Sequence, residues 1–318
     1  MKVEPLEFEK PIVDLERQLA ALKDHSAGQG VGAESEIEKI EEKISKMKYE
    51  VYQGLTAWQR VQIARHTQRP FTLDYVENCF DDFLELHGDR HIGDDDAMPA
   101  GFARLEGRRC IVLGHQKGRN TKENLLRNFG SAHPEGYRKA LRLMRLADKF
   151  GKPIVTFIDT PGAYPGIGAE ERNIAEAIAF NLREMMRIKV PIVAVVIGEG
   201  GSGGALGIGI ADRVLMLENS YYSVISPEGC AAILWKDRKY AEDAATAMKL
   251  TAKDLKAMDV IDEIIPEPLG GAHHDHITMG RSVKSALVKH LTELRELDTE
   301  ELLEQRYEKF RKFGEFRG

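Results

Sequence analysis

One stretch of thirteen residues constrains this chain more than any other. An apolar run, Val190 to Ile197, reads as a buried strand, and it feeds into Ile197-Gly-Glu-Gly-Gly-Ser-Gly-Gly-Ala-Leu-Gly-Ile-Gly209. Glycine at this density lowers the propensity for helix and strand alike, so the backbone itself must have a task there. Backbone N–H groups unshielded by side chains can approach a ligand closely at a strand-to-helix junction. Such a junction binds negative charge, either a phosphate or an oxyanion.

A second segment of the same kind lies upstream. Pro153 to Ile158 reads as a buried strand, and Asp159-Thr-Pro-Gly-Ala-Tyr-Pro-Gly-Ile-Gly168 follows it before a helix. Pro161 and Pro165 stiffen this loop, while Gly162, Gly166 and Gly168 free it locally. Two such strand ends, side by side in one sheet, can aim two amides at one oxygen and form an oxyanion hole. One well-placed donor of this kind is worth roughly 3 kcal/mol. The chemistry it suits is enolate formation beside a thioester, or charge build-up on a urea-like carbonyl. Close helix–strand packing alone would explain one glycine segment, but two in consecutive units favour function.

Competing readings of these loops are weaker. Gly198-Glu-Gly200-Gly-Ser-Gly203 matches a dinucleotide fingerprint, with Glu218 ending a later strand. The helix behind it is too short for an ordinary crossover, and the motif falls late in the chain. Asp159-Thr-Pro-Gly162 imitates a GTPase switch, yet no phosphate-binding GxxxxGK[ST] loop precedes it. The formal net charge of -6 gives no sign of a general nucleic-acid surface. No apolar run reaches membrane-spanning length, and the acidic N-terminus lacks a signal-peptide core, so the expected location is cytoplasmic. Cys79, Cys110 and Cys230 stand apart and suggest neither a disulfide framework nor a cysteine metal site.

The rest of the chain reads as an α/β protein. Helical spacing runs from Ile12 to Leu22 and breaks at His25 to Gly32. A capping box at Ser35 and Glu38 opens a second helix with Ile37, Ile40, Ile44, Met47 and Val51 along one seam. A second box at Thr56 and Gln59 opens a third helix. Thr72 is expected to cap a fourth, with Val76, Phe80, Phe83 and Leu84 on its face. Strands are expected at Ala100 to Leu105 and Arg109 to His115, then a basic loop from Gln116 to Asn124. Helices follow at Pro134 to Phe150 and Ala169 to Ile188, and further strands at Arg213 to Leu217, Tyr222 to Ile225 and Val260 to Ile265. Residues 1–70 form an expected helical arm, 71–277 the α/β domain, and 278–318 a charged helical tail.

Phe157-Ile-Asp-Thr-Pro-Gly-Ala-Tyr-Pro-Gly-Ile-Gly-Ala-Glu-Glu171 and Gly198-Glu-Gly-Gly-Ser-Gly-Gly-Ala-Leu206 resemble the biotin-dependent carboxyltransferases of the crotonase superfamily. Leu55 to Arg65, Phe83 to Arg90 and Ser226 to Trp235 sharpen the resemblance to the alpha subunits of bacterial and plastid-type acetyl-coenzyme A carboxylase carboxyltransferase. It covers nearly the whole chain.

The resemblance implies a crotonase fold of repeated β-β-α units. It implies transfer of a carboxyl group from carboxybiotin, on a separate biotin carboxyl carrier protein, to acetyl-CoA. The product would be malonyl-CoA, the first committed step of fatty acid synthesis. It also implies biotin carboxylase and a zinc-ribbon beta subunit as partners, in a two-alpha, two-beta assembly. By the resemblance, Gly203 and Gly204 present amides to the ureido oxygen of biotin, and Gly162 and Ala163 complete that wall. Gly201, Ser202, Tyr164 and Gly166 line the carboxybiotin side. Little side-chain acid–base chemistry is then needed. Two alternatives remain at this level: a stand-alone crotonase-type hydratase or isomerase, which needs a carboxylate beside the amides, and a dinucleotide-binding module.

Lys117, Arg119 and Lys122 form a basic loop and are candidates for meeting a CoA phosphate or the transferred carboxylate, and Arg172 is a candidate for facing substrate. For Arg172 a place in the acidic helix start Glu170-Glu171 competes with that role. His273-His-Asp-His276 is metal-capable by composition but lacks spaced helical ligands, and no metal is expected in this chain.

Overall fold

A computed structural model describes residues 5–29 and 34–314. Helices α1 (Lys10–Gln29) and α2 (Glu34–Gln53) pair as a hairpin, followed by α3 (Ala57–Ala64), α4 (Thr72–Cys79) and strand β1 (Asp81–Glu85). Strands β2 (Ala100–Leu105) and β3 (Arg108–Gly114) then lead through α5 (Thr121–Leu126) to α6 (Pro134–Phe150). Next come β4 (Ile154–Thr160), α7 (Ile167–Glu171), α8 (Ile174–Met185), β5 (Ile192–Gly201) and α9 (Ser202–Leu206). The chain continues through β6 (Arg213–Leu217), β7 (Tyr221–Ser223), α10 (Pro227–Leu234), α11 (Ala241–Met248), α12 (Ala252–Ala257) and β8 (Glu263–Ile265). It closes with α13 (His276–Arg295) and α14 (Thr299–Arg311). Among the described residues no helix is long and apolar enough to cross a membrane.

The sheet order is β1-β2-β3-β4-β5-β6-β8. The first two pairings are antiparallel and the rest parallel. Strands β4 and β5 are buried at every position, as befits a parallel sheet covered on both faces. One apolar core lies beneath α6 and α8, with Tyr137, Leu143, Met144 and Ala177 meeting Ile154, Ile158 and Ile192. The other lies beneath α4 and α13, where Tyr75, Met279, Val283 and Leu287 meet Val155, Phe157 and Val195. The C-terminal helices thus supply a face of the core. Arg306 of α14 is fully buried, pairs with Asp212 at 2.7 Å and donates to the carbonyls of Met185, Ile188 and Val190.

A β-β-α succession is explicit from Ala100 to Phe150 and again from Arg213 to Leu234. Between them, β4 and β5 run through a register break into a short second row. There Thr160 pairs with Gly200, and Glu199, Gly200 and Gly201 pair with Tyr221, Tyr222 and Ser223. That row carries both glycine loops.

Local differences from the expected elements have physical causes. Phe80 is extended (φ −127°, ψ 158°), so α4 stops at Cys79, and Phe83 and Leu84 belong to β1 rather than to a helix face. Thr72 is the first helical residue, not the cap; its hydroxyl donates to the His115 carbonyl at 2.5 Å. Ser35 lies inside α2, so its capping box does not form there. Helix α1 runs on to Gln29, past His25, and residues 30–32 of the expected break lie outside the described residues. Asn173 in a left-handed conformation (φ 63°) divides the expected Ala169 to Ile188 helix into α7 and α8. The basic loop contains α5, capped by Asn120.

The Thr56 box is present in full: Gln59 N donates to Thr56 Oγ1 at 3.2 Å, and Thr56 N donates to Gln59 Oε1 at 2.8 Å. Thr56→Ala is expected to lower the unfolding free energy by about 1 kcal/mol, read from urea denaturation. An unchanged midpoint would remove this cap from the account.

Candidate active site

The two glycine loops meet backbone to backbone. A Cβ on Gly204 would lie 2.4 Å from the Ala163 nitrogen and 2.5 Å from the Gly162 carbonyl carbon. A Cβ on Gly201 would lie 2.3 Å from the Pro161 carbonyl oxygen. Only glycine permits these approaches. Gly201 ends β5, and Ser202, in a left-handed conformation (φ 55°), turns the chain sharply into α9. Gly203 and Gly204 occupy the first turn of that helix, where amides have no acceptor in their own helix.

Several donors in the two loops are already engaged, and several are not. Gly162 N donates to Thr160 Oγ1 at 3.1 Å, and Tyr164 N to the Ala132 carbonyl at 3.1 Å. The amides of Ala163, Gly203 and Gly204 donate to no acceptor among the described residues. Gly162, Ala163, Ser202 and Gly203 are half-buried and Gly204 is buried, so this wall is open to solvent on its Ala163 and Gly203 side. The α9 scaffold is held from behind. Tyr137 Oη donates to the Gly204 carbonyl at 3.1 Å, and Asn181 Nδ2 to the Gly207 carbonyl at 2.9 Å. Beside Ser202 opens an apolar cleft of about 310 Å³, lined by Leu206, Tyr222, Val224, Phe310 and Phe313.

The charged candidates take up other positions. Lys117 turns inward; its Nζ lies 2.6 Å from Asp159 Oδ1 and 2.7 Å from Glu199 Oε2. Arg119 stacks 4.2 Å over the Phe71 ring, donates to the carbonyls of Thr67 and Arg69, and pairs with Asp74. Arg172 pairs with Glu135 at 2.7 Å. Tyr164 stacks on His133 with ring centroids 4.1 Å apart, and Gly166 caps α7. Each of the three cations thus has a carboxylate partner within this chain.

The Lys117 network is what the sequence reading missed. Glu199 also accepts from Arg65 at 2.7 Å and from the Tyr221 hydroxyl at 2.7 Å, and Arg65 reaches Glu228 at 2.5 Å. Asp159 further accepts from Glu199 N at 2.9 Å, tying the two strand ends together. A signal was present: Asp159 and Glu199 are carboxylates at the ends of otherwise apolar, fully buried strands, and such groups need a cation.

Burial raises the Glu199 carboxyl, but Lys117 and then Arg65 outweigh it and hold it at about 2, against an ordinary 4.5. For Asp159 burial wins, with Glu199 adding repulsion, and its carboxyl is pushed up in spite of Lys117. A depressed carboxyl stabilises the fold above its unfolded pKa and loses that contribution as pH falls through the folded one. The stability difference between wild type and Glu199→Gln is therefore expected to shrink as pH drops from 4.5 toward 2. Urea midpoints at a series of pH values check this; a constant difference would contradict it.

The fold is shared with solved carboxyltransferases. The transcarboxylase 12S subunit superposes with a TM-score of 0.56 at 22% identity, over 70% of this chain and 42% of that one. The beta subunit of the geranyl-CoA carboxylase from P. aeruginosa does so with a TM-score of 0.55 at 14% identity, over 83% and 47%. This chain spans less than half the length of either, and at these identities the likeness is one of fold. The fold is thus one that this chain has in common with a transcarboxylase and a carboxylase subunit.

Residues 5–314 match the family described as acetyl co-enzyme A carboxylase carboxyltransferase-like. The acetyl-coenzyme A carboxylase carboxyl transferase subunit alpha of Geobacter metallireducens is 60% identical over 311 residues, covering 98% of each chain. That of Thermus thermophilus is 59% identical over 312 residues, covering 98% of this chain and 99% of the relative. The chain belongs to this family of carboxyl transferase alpha subunits.

Proposed function

We propose that the uncommitted amides of Ala163, Gly203 and Gly204 form the wall that holds the ureido oxygen of biotin during carboxyl transfer to acetyl-CoA. The observation that carries this reading is the meeting of two loops with three uncommitted donors, those of Ala163 and Gly203 on half-buried residues and that of buried Gly204 beside them. Gly162 shapes the wall through its carbonyl and Cα rather than its amide, which Thr160 occupies. Biotin, brought by a carrier protein, supplies the carboxyl group; this chain contributes fixed dipoles that need no reorganisation as charge develops. Ser202, Gly201, Tyr164 and Gly166 frame the same side.

Two features support this over a stand-alone hydratase. The carboxylates at the strand ends, Asp159 and Glu199, are buried and bound to Lys117, so neither is a free base beside the amides. The elements around the wall also carry exposed apolar side chains: Ile167 is 79% exposed, Val224 78% and Leu206 40%. Apolar surface of that kind marks a partner interface. The proposed partner is the beta subunit, which brings the thioester, in an alpha2-beta2 assembly with biotin carboxylase and the biotin carrier protein, in the cytoplasm.

Mixing the purified chain with its beta partner is expected to produce biotin-dependent decarboxylation of malonyl-CoA, the transfer run in reverse with free biotin as acceptor, that neither subunit shows alone. Full activity of the lone chain would overturn the shared site.

A further inference from the structure

The arm and the core meet at a cluster of side chains that carboxyl transfer does not use. Glu9 comes from the first turn of the arm, and His273 and His274 from the loop ahead of α13. His66 follows α3 and stacks on His273 with ring centroids 4.0 Å apart. The rings of His273 and His274 are 4.3 Å apart. One ligand atom each from Glu9, His273 and His274 can be chosen so that all lie within 4.8 Å of one another.

The loop is built to hold the two rings there. Gly270 and Gly271 sit at φ +99° and +98°, a region that favours glycine. A Cβ on Gly270 would lie 2.8 Å from His274 Cδ2, and one on Gly271 2.9 Å from His273 Cε1. The loop backbone is pinned from below: Ala272 N donates to Glu267 Oε2 at 2.8 Å, and Glu267 pairs with the buried Arg69. On the other side, Tyr52 Oη donates to Glu9 Oε1 at 2.6 Å and Leu6 N to Glu9 Oε2 at 2.9 Å, which fixes the carboxylate.

The His273 side chain is only 4% exposed, and neither ring nitrogen has a hydrogen-bond partner among the described residues. Buried polar atoms are nearly always satisfied, so this ring lacks something. Its Nε2 lies 3.6 Å from Glu9 Oε1, too far for a hydrogen bond. Two ligands sharing a tetrahedral ion at about 2.0 Å each sit roughly 3.3 Å apart, close to that spacing.

We infer that Glu9, His273 and His274 bind a divalent transition-metal ion of the zinc class, which staples the N-terminal arm to the core. Two imidazoles and one carboxylate suit zinc far better than magnesium or calcium, which prefer all-oxygen sets. His274 is exposed, which gives the ion an entry path and leaves a fourth position for water. Tyr52 orients the carboxylate ligand, and His66 braces the His273 ring from its face.

The test uses the full chain, alone and stripped with a chelator, titrated with Zn2+ against a competing chromophore, with Mg2+ in parallel. One equivalent of Zn2+ is expected to bind, and Mg2+ not at all. Glu9→Gln and His273→Ala are each expected to weaken Zn2+ binding by at least about 100-fold. His276→Ala, whose ring instead meets the Gln68 carbonyl at 2.7 Å, is expected to leave it unchanged. Zn2+ should also slow amide exchange at residues 7–9 in the wild type. If His273→Ala does not fold, Glu9→Gln decides. No stoichiometric binding, or binding that both ligand substitutions leave intact, would mean a plain His273–Glu9 ion pair and overturn the inference.

Discussion

Gly204→Ala is expected to lower kcat of the reconstituted carboxyl transfer by at least about 100-fold, the effect of losing one well-placed oxyanion donor. The added methyl would sit 2.4 Å from the Ala163 nitrogen and 2.5 Å from the Gly162 carbonyl carbon, both backbone atoms that have nowhere to retreat. The two loops must part, and parted amides no longer converge on one oxygen. Gly203→Ala separates this effect from general damage. Its Cβ would find only Ile178, at 3.9 Å, so the thermal stability of that variant should match wild type. If Gly204→Ala transfers carboxyl groups at the wild-type rate, convergence of the two loops is not what drives catalysis.

The second large effect is expected at Lys117. Replacing it with methionine leaves Asp159 and Glu199 facing each other in a buried site with their shared cation gone. Breaking a buried ion pair by removing one partner lowers stability by about 3–5 kcal/mol. Arg65 and Tyr221 still hold Glu199, so most of the loss falls on Asp159. In an Asp159→Asn, Glu199→Gln background the same substitution should do much less, because groups in one network do not add independently. Equal losses in the two backgrounds, measured by urea unfolding, would remove this network from the account. The strand ends it fixes are those that carry the glycine loops, so activity should fall with it.

Much of this was legible in the chain, for physical reasons that differ from element to element. The buried strands and the long helix Pro134–Phe150 announce themselves through unbroken apolar runs and a strong periodicity. The pairing of the two glycine loops was readable because each follows a buried strand in consecutive units. The true end of β5 was not: glycines carry no strand propensity, and residues 198–201 extend only because Thr160 and β7 flank them. Strand β1 was hidden because Val76, Phe80, Phe83 and Leu84 also fit helical spacing, and only tertiary pairing with β2 selects the strand.

Side-chain direction was the least legible feature. Lys117, Arg119 and Arg172 sit in polar stretches with no period to say which way they point, and each is spent on an internal partner. The amide of Gly162 looked available in sequence, but the Thr160 hydroxyl two residues earlier takes it. Asp159 and Glu199 did carry a readable demand for a cation, and Lys117 was there to meet it.

The most direct measurement is a crystal structure of the assembled alpha and beta subunits with biotin bound. The ureido oxygen is expected at about 2.7–3.1 Å from amides of both loops, Ala163 on one side and Gly203 or Gly204 on the other. An oxygen held by side chains, or by amides of one loop only, would contradict it.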